Sequence, residues 1–354
     1  MVNRIKSYLF AFKYVFSFAT KKVSSNCYTE ILEEYKGLDG NQVPMKIFYS
    51  KIKTKKTVII FLGASPDGEN HKSINLLGKI MAKLGYNVFV PRIPPLKKLD
   101  ISNENVDWIA YLYEMIQERS DVDSEHIIAL GISYGGGMLL KASLDDRMVN
   151  SPPKSIYLYG AGCNAETILK FITKGEFEVD GKINKIKPHD WGLTVFFHHF
   201  MKDIDFGFDK KNIEEVINLR IDDEKIKAKE KIKQLSSQEF DIANPIITGE
   251  INEKVQLIVN DVLKVKRDYI ENLSCKSICQ DITSKVFILH GANDSMIPFT
   301  EAVQLNALIP SSELLVSYLF EHKGISGNRG LLFKLKELLR LVNFLSKFYR
   351  YNEN

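Results

Sequence analysis

Short apolar runs alternate with helical patterns along most of this 354-residue chain, and this alternation limits the fold more than any other feature. An uninterrupted run of five or six apolar residues is typical of a strand that is buried on both faces. Strands that alternate with helices predict a parallel sheet with helices on both sides, because each parallel connection has to cross the sheet. Such strands are expected at residues 57–62, 86–90, 125–130, 155–159, 285–289 and 314–320, and the helices at 72–84, 102–119, 135–146 and 328–348. Before them, a hairpin is expected from strands at 26–36 and 42–50.

One long stretch interrupts the alternation. About 125 residues separate the strand at 155–159 from the strand at 285–289, far more than a single crossover needs. Charged helical patterns at 211–234 and 251–272 predict that this stretch is mainly helical. We therefore expect an α/β fold, with a doubly wound, mostly parallel sheet and an inserted, mainly helical cap.

Composition supports a soluble globular protein organised in four segments. The chain is 45% hydrophobic and 26% charged, which can supply a sizeable core, and a formal net charge of +4 is too small to predict nucleic-acid binding. The four cysteines are expected to be free thiols, because the close pair Cys275 and Cys279 lacks the second pair of a zinc site. The segments are an amphipathic helix at 1–22, the first part of the sheet domain at 23–162, the cap at 163–283 and the second part of the sheet domain at 284–354.

A nucleophile motif follows the third strand of the alternating pattern. The strand at 125–130 ends in Gly131-Ile132-Ser133-Tyr134-Gly135, and a helical pattern follows. This is G-x-S-x-G in the strand–turn–helix context that a nucleophilic serine requires. The two glycines leave room for a sharp turn, at which side chains would collide with the neighbouring strand and helix. We predict that Ser133 is a nucleophile beside the free N–H groups of a helix N-terminus.

A serine hydroxyl needs a base, and the base needs an orienting acid. Asp294 lies in the loop after the strand at 285–289, at the end of the strand where a parallel sheet presents its site. Glu166 is a rival acid, but it lies at a predicted helix start, where N-terminal capping explains an acidic residue. His322 lies between the last strand and the closing helix and is the predicted base. The other histidines precede Asp294 in the chain, and His290 ends a buried strand, where a structural role is expected.

These motifs together resemble the α/β-hydrolase superfamily, and most of all its esterase, lipase and dienelactone-hydrolase-like branches. The resemblance rests on Gly63 after the strand at 57–62, the Gly131–Gly135 turn, the His290–Pro298 loop and the Glu321-His322 turn. The resemblance covers residues 42–160 and 284–348 but not the cap. It implies an acyl-enzyme mechanism with Ser133, Asp294 and His322 as the triad, in the family's chain order, without a metal or an organic cofactor.

One loop departs from the family pattern. Many members have His-Gly, or His-Gly-Gly-Gly, after the strand that corresponds to residues 57–62, whereas this chain has Leu62-Gly63-Ala64-Ser65. An oxyanion hole needs two backbone N–H donors, one from the residue after the nucleophile and one from this loop. Tyr134 is predicted to supply the first and Ala64 the second, with Ser65 as the alternative.

Residues 1–22 could form a helix at a membrane surface. The stretch Tyr8–Ala19 is apolar and aromatic, too short to cross a bilayer, and followed by no signal-peptide cleavage pattern. A helical wheel places one narrow polar stripe at Lys6, Lys13, Ser17 and Thr20. Two alternatives remain, an interfacial helix and a helix that packs on the enzyme. We expect a cytoplasmic protein with peripheral membrane contact.

The expected activity is hydrolysis of a small carboxylic ester with an apolar character. The aromatic stretch 191–208 either lines the substrate pocket or forms the core of the cap itself. A peptidase, a thioesterase or an acyltransferase would use the same triad. A non-catalytic binding protein with this fold is a weaker alternative, because it needs none of the three residues.

Overall fold

The computed structural model of the protein describes residues 4–319 and 330–353. Within these ranges the chain forms ten strands: β1 (Tyr28–Lys36), β2 (Gln42–Ser50), β3 (Thr57–Phe61), β4 (Asn87–Pro91), β5 (Ile127–Ile132), β6 (Ser155–Tyr159), β7 (Glu176–Val179), β8 (Lys182–Lys185), β9 (Val286–Gly291) and β10 (Ser312–Ser317). Eight of them form one sheet in the order β1-β2-β4-β3-β5-β6-β9-β10, and β7 and β8 pair as a separate hairpin. The predicted strands of the alternating pattern are all present.

The pairing of the strands gathers one set of loops at a single edge. β2 pairs antiparallel with both β1 and β4, and every other neighbouring pair in the large sheet is parallel. The loops that follow β3, β5, β6, β9 and β10 therefore all leave the sheet at its carboxyl edge. A ligand site is expected at this edge of an open α/β sheet.

Helices cover both faces of the sheet. In the described ranges they are α1 (Arg4–Thr20), α2 (Lys72–Lys83), α3 (Pro94–Lys97), α4 (Glu104–Gln117), α5 (Tyr134–Ala142), α6 (Asp146–Val149), α7 (Ala165–Lys174), α8 (Asp190–Phe200), α9 (Lys211–Ile221), α10 (Lys225–Ile232), α11 (Ser237–Thr248), α12 (Glu253–Val265), α13 (Arg267–Leu273), α14 (Thr300–Leu308) and α15 (Leu331–Glu353). Side chains of β3 alternate between the faces. Ile59 and Phe61 pack with α4 and α5, whereas Val58 and Ile60 pack with α1, α2 and α15. The predicted doubly wound, mostly parallel sheet is confirmed.

A helical insertion, here residues 163–283, contains α7 to α13 and the β7–β8 hairpin. It enters after β6 and returns to the sheet at β9. It has its own hydrophobic core, which includes Phe196, Phe197 and Phe200 of α8. Most aromatic residues of the stretch 191–208 therefore pack inside the insertion. Trp191 and Phe196 also line a cavity.

Helix α1 packs on the body of the protein. The rings of Phe10 and Tyr349 of α15 stack with their centroids 4.0 Å apart, and the Oγ atoms of Ser7 and Ser346 are 2.7 Å apart. Ser17 is buried and accepts a hydrogen bond from a lysine of α2. The prediction of one exposed polar stripe is therefore wrong at Ser17, because its hydroxyl finds a partner inside. Across the described residues, no helix is both long enough and apolar enough to cross a membrane.

Candidate active site

Ser133 has the strained backbone that the G-x-S-x-G motif predicts. Its φ is 54° and its ψ is −129°, a conformation that residues other than glycine rarely adopt. The turn leaves no space for neighbouring side chains. A Cβ atom at Gly135 would lie 2.2 Å from the carbonyl oxygen of Leu62, and one at Gly131 would lie 2.6 Å from the Cα of Gly136. The surrounding packing therefore holds the strain at the serine.

Ser133 stands at the junction of β5 and α5, at the carboxyl edge of the sheet. Its N–H donates a 2.9 Å hydrogen bond to the carbonyl of Tyr159, the last residue of β6. Beside it is a mainly apolar cavity of about 150 Å³, which we call the small cavity. Residues of the sheet domain and of the insertion share its wall, among them Ser133, Ala64, Tyr134, Ile168, Ile172, Trp191, Phe196, Met296 and Ile297.

Asp294 is buried in the loop that follows β9. Its Oδ1 accepts hydrogen bonds from the backbone N–H groups of Met296, at 2.7 Å, and Ile297, at 3.1 Å. These bonds fix the orientation of the carboxyl group in the loop whose Met296 and Ile297 line the small cavity. The Tyr159 phenol is close enough that its pKa is raised first by burial and further by the charge of Asp294. The sheet thus brings both Asp294 and Ser133 close to Tyr159, although the two residues are far apart in the sequence.

His322, the predicted base, lies outside the described residues, so it stays a prediction. The chain enters that segment from β10, which pairs parallel with β9 in the register Ser317 to Gly291. It therefore leaves the sheet at the edge where Asp294 lies. The chain is described again from Gly330, just before α15.

The rivals for acid and base have other roles. His290 is buried, and its Nε2 donates a 2.9 Å hydrogen bond to the Ile297 carbonyl, which fastens the loop that carries Asp294. The same Nε2 is 3.6 Å from Asp294 Oδ2, too far for a hydrogen bond. Glu166 lies in the first turn of α7, where its N–H donates to the side chain of Asn164. Both arrangements agree with the structural roles that the sequence predicts.

Two backbone N–H groups beside Ser133 could hold an oxyanion. Among the described residues, neither the Tyr134 N–H nor the Ala64 N–H has a hydrogen-bond acceptor. The Ser65 N–H donates to the Leu96 carbonyl at 3.1 Å, which disfavours Ser65 as the donor. The two loops touch, because a Cβ atom at Gly63 would lie 3.3 Å from the Tyr134 nitrogen. Backbone donors do not depend on the longer glycine motif that this chain lacks.

Sequence reasoning missed a buried carboxyl group at the base of the insertion. Glu301 of α14 accepts hydrogen bonds from the backbone N–H groups of Cys163 and Asn164 and from the Thr167 hydroxyl. Burial raises the pKa of Glu301. The contact ties the start of the insertion to the sheet domain. No local pattern could have revealed it, because its partners lie more than 130 residues earlier in the chain.

A cluster of three buried thiols was also missed. The Sγ atoms of Cys163, Cys275 and Cys279 all lie within 4.8 Å of one another. Cys27, Cys163, Cys275 and Cys279 form no disulfide among the described residues. Soft thiolate ligands at this spacing are compatible with a soft metal ion. The sequence shows only the Cys275–Cys279 pair, since Cys163 joins it through the fold.

A second cavity, of about 760 Å³, lies between the 98–102 loop and the insertion. We call it the large cavity, and several of its wall residues are charged or polar: Lys98, Asp100, His199, Asp203, Glu214, Lys266 and Tyr269. His199, one of the histidines that precede Asp294 in the chain, lines this cavity and not the small cavity. Its Nε2 is 2.9 Å from the Tyr269 hydroxyl, and burial lowers its pKa.

Several solved structures resemble this one. A Mycobacterium tuberculosis puromycin-hydrolyzing peptidase has a TM-score of 0.51 and 12% identity, over 92% of this chain and 40% of its own. Pyrococcus horikoshii acylaminoacyl peptidase has a TM-score of 0.50 and 13% identity, over 94% of this chain and 42% of its own. A 2,6-dihydroxy-pseudo-oxynicotine hydrolase has a TM-score of 0.48 and 13% identity, over 89% of this chain and 67% of its own.

These likenesses concern the fold. This chain spans about two fifths of the length of the two peptidases. No protein-family model and no curated protein matches its sequence. The strand order, the turn at Ser133 and the shared architecture lead to one conclusion, that the protein has the α/β-hydrolase fold.

Proposed function

We propose that this protein is a serine hydrolase that cleaves a carboxylic ester through an acyl-enzyme intermediate on Ser133. The observation that carries the proposal is the φ of 54° at Ser133, at the N-terminus of α5 and in the wall of an apolar cavity. Such a conformation costs free energy at a residue other than glycine, and it is found where a side chain has to be positioned for chemistry. At Ser133 it coincides with a helix N-terminus and with the wall of an apolar cavity.

The proposed mechanism assigns one task to each predicted residue. The Ser133 hydroxyl attacks the ester carbonyl carbon while His322 takes its proton, and the N–H groups of Tyr134 and Ala64 hold the negative oxygen. Collapse of this intermediate breaks the bond to the alcohol, which leaves with the proton from His322. Water, deprotonated by His322, then releases the acid and restores the serine. Asp294 orients His322 and stabilises its charged form.

The small cavity favours a compact apolar acyl group. An apolar cavity of about 150 Å³ can hold one benzene-sized molecule. Ile168, Ile172 and Trp191 supply apolar wall without a charged group. We therefore expect short-chain or aromatic acyl esters to be better substrates than long-chain esters.

Labelling with a fluorophosphonate probe tests the nucleophile, because only an activated serine reacts quickly with it. The wild-type protein and a Ser102→Ala variant should be labelled, since Ser102 lies at the large cavity. Ser133→Ala should not be labelled. Labelling of Ser133→Ala at the wild-type rate would contradict the proposal.

A substrate panel separates the ester hydrolase from its alternatives. Thioester cleavage, amide cleavage and acyl transfer would use the same residues, so mutagenesis alone does not distinguish them. The panel should compare p-nitrophenyl esters, matched acyl thioesters and aminoacyl p-nitroanilides, each with and without an added alcohol acceptor. Faster turnover of the anilides would make the protein a peptidase.

A further inference from the structure

Two neighbouring helices expose a row of large apolar side chains. Their exposed fractions range from 46% at Leu335 to 82% at Leu332. We call this row the apolar face, and it consists of Ile5, Leu9, Phe12 and Phe16 on α1 and Leu331, Leu332, Leu335 and Leu339 on α15. Spacings of three and four residues place each set on one side of its helix. Monomeric soluble proteins rarely expose such a continuous row, which is typical of an interaction surface.

The two halves of the apolar face lie on helices that pack against each other. Tyr8 of α1 donates a hydrogen bond to Asn343 of α15 at 3.2 Å, which sets the two helices side by side. Leu339 lies one turn before Asn343 on the same side of α15, and Ile5 lies three residues before Tyr8 on the same side of α1. The α1 part extends about 16 Å and the α15 part about 12 Å at 1.5 Å per residue.

The fold does not need these side chains for its own packing. The opposite side of α1 supplies Phe10 and Ala11 to the main core, and α15 supplies Leu341 and Phe344. Both helices are therefore held by their inner faces. The outward residues remain available for a surface that is itself apolar.

The charges around the apolar face are basic. Arg4, Lys6 and Lys13 are exposed on α1, and the sequence contains no acidic residue between Arg4 and Glu30. On the first half of α15, Lys336 and Arg340 are exposed. The acid of that stretch, Glu337, is buried and its carboxylate is 2.6 Å from Arg340 Nη1. An apolar surface flanked by cations matches a bilayer with anionic headgroups.

We propose that the apolar face docks the protein on an anionic lipid bilayer. The leucines and phenylalanines enter the boundary between headgroups and acyl chains, while the lysines reach the headgroups. Half of this surface, the leucines of α15, lies outside the N-terminal segment that the sequence singled out. The binding of this surface does not depend on the chemistry proposed for Ser133.

The docking surface adjoins the carboxyl edge of the sheet. Tyr318, just beyond β10, donates its N–H to Glu337 Oε2 at 3.2 Å, and its ring centroid is 5.7 Å from that of Phe333. The first turns of α15 therefore lie at the edge where Ser133 and Asp294 lie. A bound bilayer would face this edge.

Vesicle co-sedimentation of the full-length protein tests the proposal. Binding to phosphatidylcholine vesicles that contain phosphatidylserine should exceed binding to phosphatidylcholine alone, and it should weaken as salt rises. Phe12→Ser with Phe16→Ser, and Leu332→Ser with Leu335→Ser, should each weaken partitioning by about tenfold or more. Lys6→Glu with Lys13→Glu should remove the preference for phosphatidylserine.

A matched control uses apolar residues that are equally exposed elsewhere. Ile226→Ser with Val265→Ser changes two side chains of the insertion that are 76% and 77% exposed, and it should leave binding unchanged. Thermal unfolding should be similar for all variants, because each changes surface positions.

Three results would overturn the proposal. The first is vesicle binding that is as strong in the Phe12/Phe16 and Leu332/Leu335 double variants as in the wild type. The second is equal binding to neutral and anionic vesicles. The third is self-association, measured by analytical ultracentrifugation, that the same pairs abolish while no vesicle binding occurs. In that case the apolar face is covered by a second copy of the chain.

Discussion

The small and large cavities share one wall and differ in almost everything else. Helix α8 contributes Trp191 and Phe196 to the small cavity and His199 to the large one. The large cavity has about five times the volume and several charged residues, including a histidine beside Asp100. The small cavity has an apolar lining and Ser133.

In the proposed function, the chemistry lies at the smaller and less charged of the two cavities. The large cavity contains titratable groups, but its His199 is hydrogen-bonded to the Tyr269 hydroxyl, and burial lowers the pKa of that histidine. The small cavity combines a strained backbone at Ser133 with the unengaged N–H groups of Tyr134 and Ala64. Prearranged donors of this kind act on charge that develops during a reaction.

The largest effect is expected from removal of the nucleophile. Ser133→Ala should reduce turnover of p-nitrophenyl acetate by roughly 10⁴-fold or more, because no other group forms the acyl-enzyme. His199→Ala, in the large cavity, should change turnover by less than about threefold. Circular dichroism checks that both variants are folded. Loss of activity in His199→Ala with activity retained in Ser133→Ala would reverse the roles of the two cavities.

Loss of the acid or of the base should have a comparable effect. Asp294→Asn keeps an oxygen for the N–H groups of Met296 and Ile297, so the loop should persist while turnover falls by about 10³- to 10⁴-fold. Turnover of the His322→Ala variant should fall at least as far. Steady-state kinetics of each variant combined with Ser133→Ala should show little further loss, because a triad acts as a unit. Additive losses would mean that these residues act separately from Ser133.

A moderate effect is expected from enlargement of the small cavity. Ile172→Ala should improve kcat/KM for hexanoyl relative to acetyl esters by about tenfold, since the deleted carbons leave room for a longer acyl chain. Ile217→Ala is the matched control, because it deletes the same atoms at the wall of the large cavity. A chain-length series on both variants measures the ratio. An equal shift in the two variants would mean that the substrate does not enter the small cavity.

The smallest effect is expected on stability at low pH, through Asp190 of α8, the helix that both cavities share. Burial raises the pKa of Asp190, but the hydrogen bonds and charges of His189 and Arg220 outweigh it and lower the pKa to about 2. The unfolded value is near 4, so the stabilisation is complete above that pH and is lost as the pH falls towards 2.

Tryptophan fluorescence can follow this loss. A Trp108→Phe background leaves Trp191, next to Asp190, as the reporter, since the chain has two tryptophans. Urea midpoints should fall between pH 4 and 2, and Asp190→Asn should flatten that dependence. If the urea midpoint of Asp190→Asn depended on pH as strongly as that of the wild type, the salt bridge between Asp190 and Arg220 would not be the source of this stabilisation.

The sheet domain could be predicted from the sequence, whereas much of the insertion could not. Buried strands such as β3 and β9 are short apolar runs, and the turn at Ser133 needs its glycines within two residues, so both signals are local. The charged helical patterns also located the helices of 211–234 and 251–272. The hairpin of β7 and β8 was missed, because its strands have four residues each and are largely exposed.

Contacts between distant residues were the other limit. The bonds of Glu301, the thiol cluster and the division of α8 between two cavities all depend on how the insertion is placed on the sheet. Periodicity reports which side of a helix is buried but not what covers it. The position of Asp294 at the carboxyl edge was predictable, because strand ends meet at one edge of a parallel sheet.

The pairing of α1 with α15 has a consequence for synthesis on the ribosome. The hydroxyls of Ser7 and Ser346 meet across 339 positions of the chain. At about 5–20 residues per second, α1 therefore emerges on the order of tens of seconds before the helix that covers it. During that interval the nascent chain carries Phe10 and its neighbours without their final partner, together with the sheet face that α15 will cover. Translation of this protein thus includes a period in which a chaperone, or a nearby lipid surface, can reach residues that the finished molecule hides.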